Sequence, residues 1–277
     1  VRSVMEKQPV PIILLSSLEK TNVRIFDALQ QGAFEFIDKP INIDGFQANN
    51  YPLVELIRQA SRTDISLLKA KQLAKRNTSA HTFSQHLNYD IVVIGASTGG
   101  PGALEQILTN LPANLQIPVL VAQHMPARFL ETFSTRLNDH CPLPVKLTHR
   151  GESIKGGVIY IASGEANFRV ESNLVNGTPM FTTTNQKYQE FNNPSVDCLM
   201  ESVAQVFGER SIGVILTGMG RDGMLGMECI RNKGGYTIAQ DEESSVVYGM
   251  PKAAVERGAI RQTVKLREIS GFIVSCL

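Results

Sequence analysis

The chain has 277 residues, of which 43% are hydrophobic and 19% are charged, and its formal net charge at pH 7 is +1. These values are typical of a globular protein with a sizeable core, and the balanced charge gives no basic surplus of the kind that indicates nucleic-acid binding. No apolar run approaches the roughly 20 residues of a membrane-spanning helix. We therefore expect neither nucleic-acid binding nor membrane insertion.

The four cysteines lie far apart and form no Cys-x-x-Cys pair. This spacing favours reduced, buried thiols over a disulfide framework or a zinc site. A reducing compartment follows from that interpretation, and we predict a cytoplasmic protein. The length of the chain allows one large domain or two domains of modest size.

A strand–helix–strand pattern occupies the N-terminal part of the chain. An apolar run at 10–15 predicts a buried strand that ends at Ser16, a helix is predicted over 23–31, and a second strand over 34–38. Because such units form parallel sheets, Ser16 and Lys39 are expected at one sheet edge, where an anion could bind. Lys39 could equally be a surface lysine before a turn.

This pattern resembles the second half of a two-component receiver domain, on residues 11–17 and 32–40. In that family, the hydroxyl matching Ser16 and the lysine matching Lys39 contact the phosphorylated aspartate. The half that carries the phosphoacceptor aspartate has no counterpart here. We therefore expect residues 1–50 to form a partial, N-terminally truncated receiver, and a histidine kinase to be a partner only if the receiver were complete.

Residues 51–88 are expected to connect the two parts of the chain. Apolar residues at 53–57 and 65–68 suggest helix, and the stretch that follows is polar and rich in lysine and arginine. A basic binding patch is one interpretation of this composition. We favour a solvated linker between domains, because runs of like charge are more often solvated than bound.

The second part of the chain begins with a buried strand at 91–96 and a glycine-rich turn. Gly95, Ser97 and Gly99 fit the Gly-x-Ser-x-Gly pattern of a nucleophile elbow, in which a strand-to-helix turn exposes the serine. The same glycines could instead form the phosphate-binding loop of a dinucleotide-binding domain, or a turn with a purely structural role. The rest of the chain has to decide between these interpretations.

Apolar strands then alternate with helix-like segments. Strands are predicted at 117–123, 212–217 and 236–240. The stretch 144–184 contains short strand-like runs split by Gly, Asn and Pro, which predicts a mostly antiparallel insertion or edge. The alternation as a whole predicts an α/β fold with a doubly wound, mostly parallel sheet over residues 89–277.

Ser97, His124 and Asp222 each follow an apolar strand of this predicted sheet. The carboxyl ends of parallel strands share one edge, so the three side chains are expected close together. A histidine can act as base for a serine hydroxyl, and a carboxylate can orient the imidazole. Each residue also has a structural interpretation, the histidine as a hydrogen-bonded strand end and the aspartate as a turn former or helix cap.

The sequence argues against two of the possible folds, a dinucleotide-binding domain and an α/β-hydrolase. The glycines after the first strand do not follow Gly-x-Gly-x-x-Gly, and the second strand ends in Gln123 and His124 where a dinucleotide-binding fold prefers an acid. The chain order Ser, His, Asp also differs from the Ser, Asp, His order of α/β-hydrolases. The first detail weakens the dinucleotide interpretation and the second weakens that hydrolase fold.

Six runs of the second part resemble the CheB family of chemotaxis protein-glutamate methylesterases. They are residues 94–100, 122–126, 194–197, 217–223, 239–242 and 247–251. The runs occur in the family's order, and a receiver and linker before them are also the arrangement that the family shows. We therefore expect residues 89–277 to form a methylesterase catalytic domain.

This resemblance implies a role for each of five residues: Ser97 as nucleophile, His124 as base, Asp222 as orienting carboxylate, and the backbone N–H groups near Thr98 and Met219 as oxyanion donors. It also implies that no metal or organic cofactor takes part. The implied reaction is hydrolysis of γ-glutamyl methyl esters on the cytoplasmic helical domain of methyl-accepting chemotaxis receptors. Deamidation of selected glutamines by the same groups is implied as well.

One part of the family pattern differs here. Members often carry a basic residue just before the Pro-Ser-Val-Asp run at 194–197, whereas this chain has Asn192 and Asn193, which leaves a substrate contact at that point open. Ser195 is a plausible N-cap of the helix predicted after it. The alternative to an esterase is a non-catalytic two-component signalling module, and a nucleotide-binding oxidoreductase is a third interpretation.

Overall fold

The computed structural model of this chain describes residues 1–16, 22–39, 53–70, 89–191 and 193–277. The chain divides into two compact units, Val1–Lys75 and Arg76–Leu277. The expectations for Ser17, Pro40, Asn192 and most of the predicted linker lie outside the described residues. No helix within the described ranges is both long enough and apolar enough to cross a lipid bilayer.

The first unit is built around a two-stranded parallel sheet. Its elements are α1 (Arg2–Lys7), β1 (Ile13–Ser16), α2 (Asn22–Gln30), β2 (Glu35–Asp38), α3 (Leu53–Arg62) and α4 (Ile65–Ala70). Strands β1 and β2 pair in parallel, which confirms the predicted strand–helix–strand pattern. Phe26 and Phe34 are buried beside this sheet. The division of this region into a partial receiver and a linker stays a prediction.

The second unit contains a seven-stranded sheet with helices between its strands. Its elements are β3 (Ile91–Ala96), α5 (Gly100–Leu108), β4 (Val119–Gln123), α6 (Ala127–His140), β5 (Val145–Leu147), β6 (Ile159–Ile161), β7 (Asn167–Ser172), β8 (Pro179–Thr184), α7 (Val196–Phe207), a short 3-10 turn (Gly208–Arg210), β9 (Ser211–Ile215), α8 (Met224–Asn232), β10 (Tyr236–Gln240), α9 (Met250–Glu256), β11 (Gln262–Val264) and α10 (Leu266–Cys276).

The strand order in the large sheet is β11-β10-β9-β3-β4-β6-β5, and all neighbours pair in parallel. The chain starts in the middle at β3, adds strands on one side, and then returns to add β9, β10 and β11 on the other. This order confirms the predicted α/β fold with a doubly wound, mostly parallel sheet. Strands β3, β4 and β9 are buried throughout, as expected for a parallel sheet covered by helices on both faces.

The expectation of a mostly antiparallel stretch over 144–184 is wrong for its first half. Strands β5 and β6 belong to the large sheet and pair in parallel with each other, and β6 also pairs with β4. Only β7 and β8 form an antiparallel hairpin. Runs of three residues carry no periodicity that identifies their partners, so the turn residues between them suggested hairpins where the chain makes a crossover instead.

Gly95 lies in the central strand β3, where helix α7 packs closely against the sheet. A Cβ atom at this position would lie 2.2 Å from Val196 Cγ1 and 3.2 Å from both Met200 Cε and Ile215 Cδ1. Val196 is β-branched and has little rotamer freedom in a helix, so it cannot turn away. The absence of a side chain at Gly95 therefore sets how closely the start of α7 approaches the strand.

We expect Gly95→Ala to lower the free energy of unfolding by about 1–3 kcal/mol, because the added methyl group overpacks this contact. Denaturant unfolding of the parent chain and the variant measures the change. The double variant Gly95→Ala/Val196→Ala serves as the control, and its loss should be smaller than the sum of the two single losses, since the clashing atom is gone. Additive losses would show that this contact is not the cause.

Candidate active site

The ends of β3, β4 and β9 bring three of the predicted site residues to one edge of the sheet. Ala96 pairs with Gln123, so Ser97 and His124 leave neighbouring strands at the same level. The backbone N–H of His124 donates to Ala96 O at 3.0 Å, and that of Ser97 donates to Thr217 O at 3.0 Å. These bonds continue the sheet ladder by one residue and fix the backbone at both positions.

The turn after β3 presents the Ser97 hydroxyl. Gly99 has φ of +79°, a left-handed conformation that favours glycine, and it precedes helix α5. Gly100 lies against Gln123, whose Oε1 would be 2.0 Å from a Cβ atom there. Ser97 is half-buried, and its Oγ atom has no hydrogen-bond partner among the described residues. The hydroxyl is therefore available for a group outside the chain or for a nearby base.

His124 and Asp222 form a buried hydrogen-bonded pair. His124 Nε2 lies 2.7 Å from Asp222 Oδ2, and the two side chains are only 6% and 1% exposed. A carboxylate accepts, so Nε2 carries the proton in the neutral ring and Nδ1 is left as an acceptor. This tautomer places the free acceptor on the nitrogen that is not bonded to Asp222.

Asp222 accepts several hydrogen bonds besides the one from His124. The backbone N–H groups of Val196 (2.7 Å), Asp197 (2.9 Å) and Gly223 (3.1 Å) donate to it. Burial by itself would raise the pKa of Asp222, but the hydrogen bond and charge of His124, with the backbone donors, lower it below its ordinary value. The carboxylate is therefore ionised at neutral pH.

The start of helix α7 supplies these donors, and side-chain contacts keep it in place. Ser195 caps the helix by accepting from Cys198 N at 3.2 Å, which confirms the predicted N-cap, and its hydroxyl donates to Asp222 Oδ1 at 3.2 Å. Asn167 Oδ1 accepts from the backbone N–H groups of Asn193 at 2.8 Å and Ser195 at 3.0 Å. Asn167 was not predicted, because one asparagine in a strand forms no recognisable motif.

Asp197 is a second buried carboxyl group beside Asp222. It is 4% exposed, and its Oδ1 accepts from Gly226 N at 2.8 Å. Burial, with the negative charge of Asp222, raises the pKa of Asp197 to about 7. The pKa of Asp197 is thus raised above the ordinary value of an aspartate, whereas that of Asp222 is lowered below it.

Two backbone N–H groups near Ser97 have no acceptor among the described residues. Those of Thr98 and Met219 donate no hydrogen bond within the described part of the chain. The turn before Met219 lies against the serine, since a Cβ atom on Gly218 would be 2.7 Å from Ser97 Cβ. The Thr98 carbonyl, which belongs to the next peptide along the chain, accepts from Thr217 Oγ1 at 2.9 Å and so holds the turn just after Ser97.

A residue that the sequence did not predict also contacts the site. The ring of Phe191 stacks on the imidazole of His124, with centroids 3.9 Å apart and planes inclined by 17°. Phe191 is 39% exposed. The residue before it, Glu190, pairs with Arg221, which precedes Asp222 in the chain.

The two residues predicted from the receiver resemblance lie in the first unit. Ser16 and Lys39 stand at the ends of β1 and β2, where Lys39 N donates to Ser16 O at 2.9 Å. The structure thus brings them together at one sheet edge, as expected. Over the described ranges, no group of three or more His, Cys, Asp and Glu side chains is arranged to hold a metal ion.

Comparison with known proteins gives a consistent result. A family model described as CheB methylesterase matches residues 92–273. A protein from Archaeoglobus fulgidus named protein-glutamate methylesterase/protein-glutamine glutaminase is 38% identical, over 99% of this chain and 79% of that protein. A protein of the same name from Thermotoga maritima is 39% identical, over 92% of this chain and 74% of that protein.

A solved structure is similar as well. The crystal structure of the Thermotoga maritima CheB methylesterase catalytic domain matches with a TM-score of 0.66 and 36% sequence identity. The match covers 69% of this chain and 100% of that domain. Likeness in sequence and in fold therefore points to the same family.

The raised pKa of Asp197 predicts how stability depends on pH. Between about pH 4 and pH 7 the folded chain keeps a proton on Asp197 that the unfolded chain has released, so the free energy of unfolding falls as the pH rises. Asp197→Asn removes this titration and keeps an oxygen for Gly226 N. The free energy of unfolding of the variant, taken relative to that of the parent chain, should therefore rise by about 2–3 kcal/mol as the pH is raised from 5 to 8.

Denaturant unfolding at several pH values measures this effect. Asp139→Asn, which changes an exposed carboxyl on helix α6, is the matched control and should follow the parent chain. Parallel pH curves for Asp197→Asn and the parent would contradict the assignment of the titration to Asp197.

Proposed function

The chain belongs to the CheB methylesterase family, and we propose that it acts as a serine hydrolase on γ-glutamyl methyl esters of chemotaxis receptors. It is an enzyme of the protein-glutamate methylesterase/protein-glutamine glutaminase type. The observation that carries the proposal is the 2.7 Å contact between His124 Nε2 and Asp222 Oδ2 beside the unbonded hydroxyl of Ser97.

The first half of the proposed reaction is acylation of Ser97. His124 Nδ1 takes the hydroxyl proton while Ser97 Oγ attacks the ester carbonyl carbon. The imidazolium that forms is stabilised by Asp222, whose lowered pKa keeps it ionised. The use of Nδ1 for the proton follows from the bond of Nε2 to the carboxylate.

The negative charge on the carbonyl oxygen needs donors that are already in place. We assign this role to the backbone N–H groups of Thr98 and Met219, which have no other acceptor within the described residues. One such donor contributes about 3–4 kcal/mol to lowering the barrier, because it is oriented before charge develops. Collapse of the tetrahedral intermediate then breaks the bond to methoxide, which takes the proton from His124 and leaves as methanol.

Deacylation uses the same groups in reverse order. His124 Nδ1 takes a proton from water, whose oxygen attacks the acyl-enzyme carbonyl, and Ser97 leaves with that proton. The product is a glutamate side chain. With a glutamine in place of the ester, the leaving group is ammonia, so the same residues account for the glutaminase activity in the relatives' names.

Following the family resemblance, we propose the cytoplasmic helices of chemotaxis receptors as the protein partner, and we therefore place the reaction in the cytoplasm. The methyl ester is uncharged, so recognition at the scissile bond requires no paired cation.

Ser97→Ala tests the proposal directly. We expect methanol release from a methylated receptor cytoplasmic fragment to fall at least about 1,000-fold, because the nucleophile is removed while the fold is kept. Ser275→Ala, a change in helix α10 where the hydroxyl donates to Phe272 O, is the control and should leave the rate unchanged.

Other outcomes would point elsewhere. Equal release from the Ser97→Ala variant and the parent chain would require another nucleophile. A folded parent chain that releases no methanol from the receptor fragment would favour a non-catalytic signalling module, and tight binding of a nicotinamide dinucleotide would favour an oxidoreductase.

Asp222→Asn tests whether the carboxylate orients His124, because it keeps the nucleophile Ser97 unchanged. An amide nitrogen facing His124 Nε2 donates, so the ring must carry its proton on Nδ1, the nitrogen that would otherwise accept from Ser97. We expect the rate of methanol release to fall about 10,000-fold, the size of the loss when asparagine replaces the triad aspartate of a chymotrypsin-like protease and the histidine takes the wrong tautomer.

The measurement combines methanol release with thermal unfolding of the same preparation. The amide oxygen can still accept from Asp197 N and Gly223 N, whereas Val196 N loses its acceptor. A cooperative unfolding transition should therefore persist at a lower temperature. Full activity in a folded Asp222→Asn variant would remove Asp222 from the mechanism.

A further inference from the structure

Two consecutive residues, Glu190 and Phe191, contact both chain segments that carry the buried histidine–aspartate pair. Phe191 lies face to face with the imidazole of His124, at 3.9 Å between centroids. The carboxylate of Glu190 accepts from Arg221 Nε at 3.1 Å and from Nη2 at 2.9 Å. Arg221 directly precedes Asp222. Phe191 therefore contacts one partner of the His124–Asp222 hydrogen bond, and Glu190 contacts the residue next to the other partner.

The chain is also held by hydrogen bonds from Asn193 onwards. Asn193 N and Ser195 N both donate to Asn167 Oδ1, at 2.8 and 3.0 Å. Val196 N then donates to Asp222 Oδ2 at 2.7 Å. Phe191 therefore lies between two anchored points, an ion pair before it and the Asn167 contacts after it.

The stack supplies a constraint that the bond to Asp222 does not. One hydrogen bond fixes the position of Nε2 but leaves the ring free to rock about it, since the terminal torsion of a histidine is broad. A flat ring against one face of the imidazole removes that freedom. The exposures agree, because the His124 side chain is 6% exposed while Phe191, which covers it, is 39% exposed.

The stack also contacts the ring in the charged form through which the proposed reaction passes. The face of an aromatic ring carries negative potential, so it attracts an imidazolium more strongly than a neutral imidazole. The imidazolium exists only once His124 has taken the serine proton. An interaction that strengthens at that stage raises kcat rather than substrate affinity.

We propose that Phe191 is a positioning residue for the esterase reaction, which holds the plane of the His124 ring so that Nδ1 faces Ser97. This inference rests on the proposed function of Ser97 and His124. It assigns Phe191 no contact with the reacting atoms, and its effect passes through the imidazole.

Phe191→Leu and Phe191→Tyr test the inference together. Leucine keeps apolar bulk but loses the flat face, and we expect kcat for methanol release to fall about 3- to 10-fold with KM within twofold of the parent value. Tyrosine keeps the face and should restore kcat to within twofold. Val274→Ala, at a position equally exposed at 39% on helix α10, is the control and should leave both constants unchanged.

Three results would overturn the inference. The first is a Phe191→Leu variant with the kcat of the parent chain. The second is a rise in KM with kcat unchanged, which would make Phe191 a substrate contact. The third is a Phe191→Tyr variant as slow as Phe191→Leu although both unfold at the temperature of the parent chain.

Ser97→Ala, assayed beside these variants, distinguishes failure of the inference from failure of the proposed function. If Ser97→Ala abolishes methanol release while Phe191→Leu has parental kcat, only the role of Phe191 is wrong. If Ser97→Ala is fully active, the proposed function fails, and with it the reason for positioning His124.

Discussion

The buried carboxylate of Asp222 is the constraint on which the site depends. A charge that is 1% exposed would be strongly unfavourable without partners, because water no longer solvates it. Its partners come from three directions: the imidazole of His124, the first backbone N–H groups of α7, and the Ser195 hydroxyl. The N-terminus of a helix suits this task, since its N–H groups have no helical acceptors and its dipole favours negative charge. Satisfying one charge therefore fixes the positions of both a histidine and a helix.

Placing α7 there imposes further requirements on the chain. The helix must approach β3 closely, and Gly95 allows this because its missing side chain makes room for Val196. The connection before the helix must also be held in place. Asn167 on the β7–β8 hairpin holds it by accepting hydrogen bonds from two backbone N–H groups. The hairpin, which takes no part in the parallel sheet, thus contributes to the site through one asparagine.

The fold and the residues of the proposed catalytic group were largely predictable, whereas the residues that hold them in place were not. Ser97, His124 and Asp222 follow apolar strands, and the doubly wound sheet brings strand ends together, so periodicity and topology suffice to propose the group. Phe191 and Asn167 lie in an irregular segment and a short strand, and their roles depend on contacts between residues far apart in the chain, which no local pattern encodes. The antiparallel prediction is wrong for β5 and β6 because a strand of three residues does not specify its partner.

Asp222 and the neighbouring carboxyl of Asp197 differ in charge because they differ in hydrogen-bond donors. Two ionised carboxylates in contact would repel each other, and the one with fewer donors takes up a proton more readily. His124 and several N–H donors lower the pKa of Asp222. Burial and the charge of Asp222 raise the pKa of Asp197, so the two values move apart. Such separation in a pair of acids is typical of catalytic sites, where each group needs one protonation state. While Asp197 holds a proton, Asp222 is the ionised partner of His124 Nε2, which is the state that the proposed reaction requires.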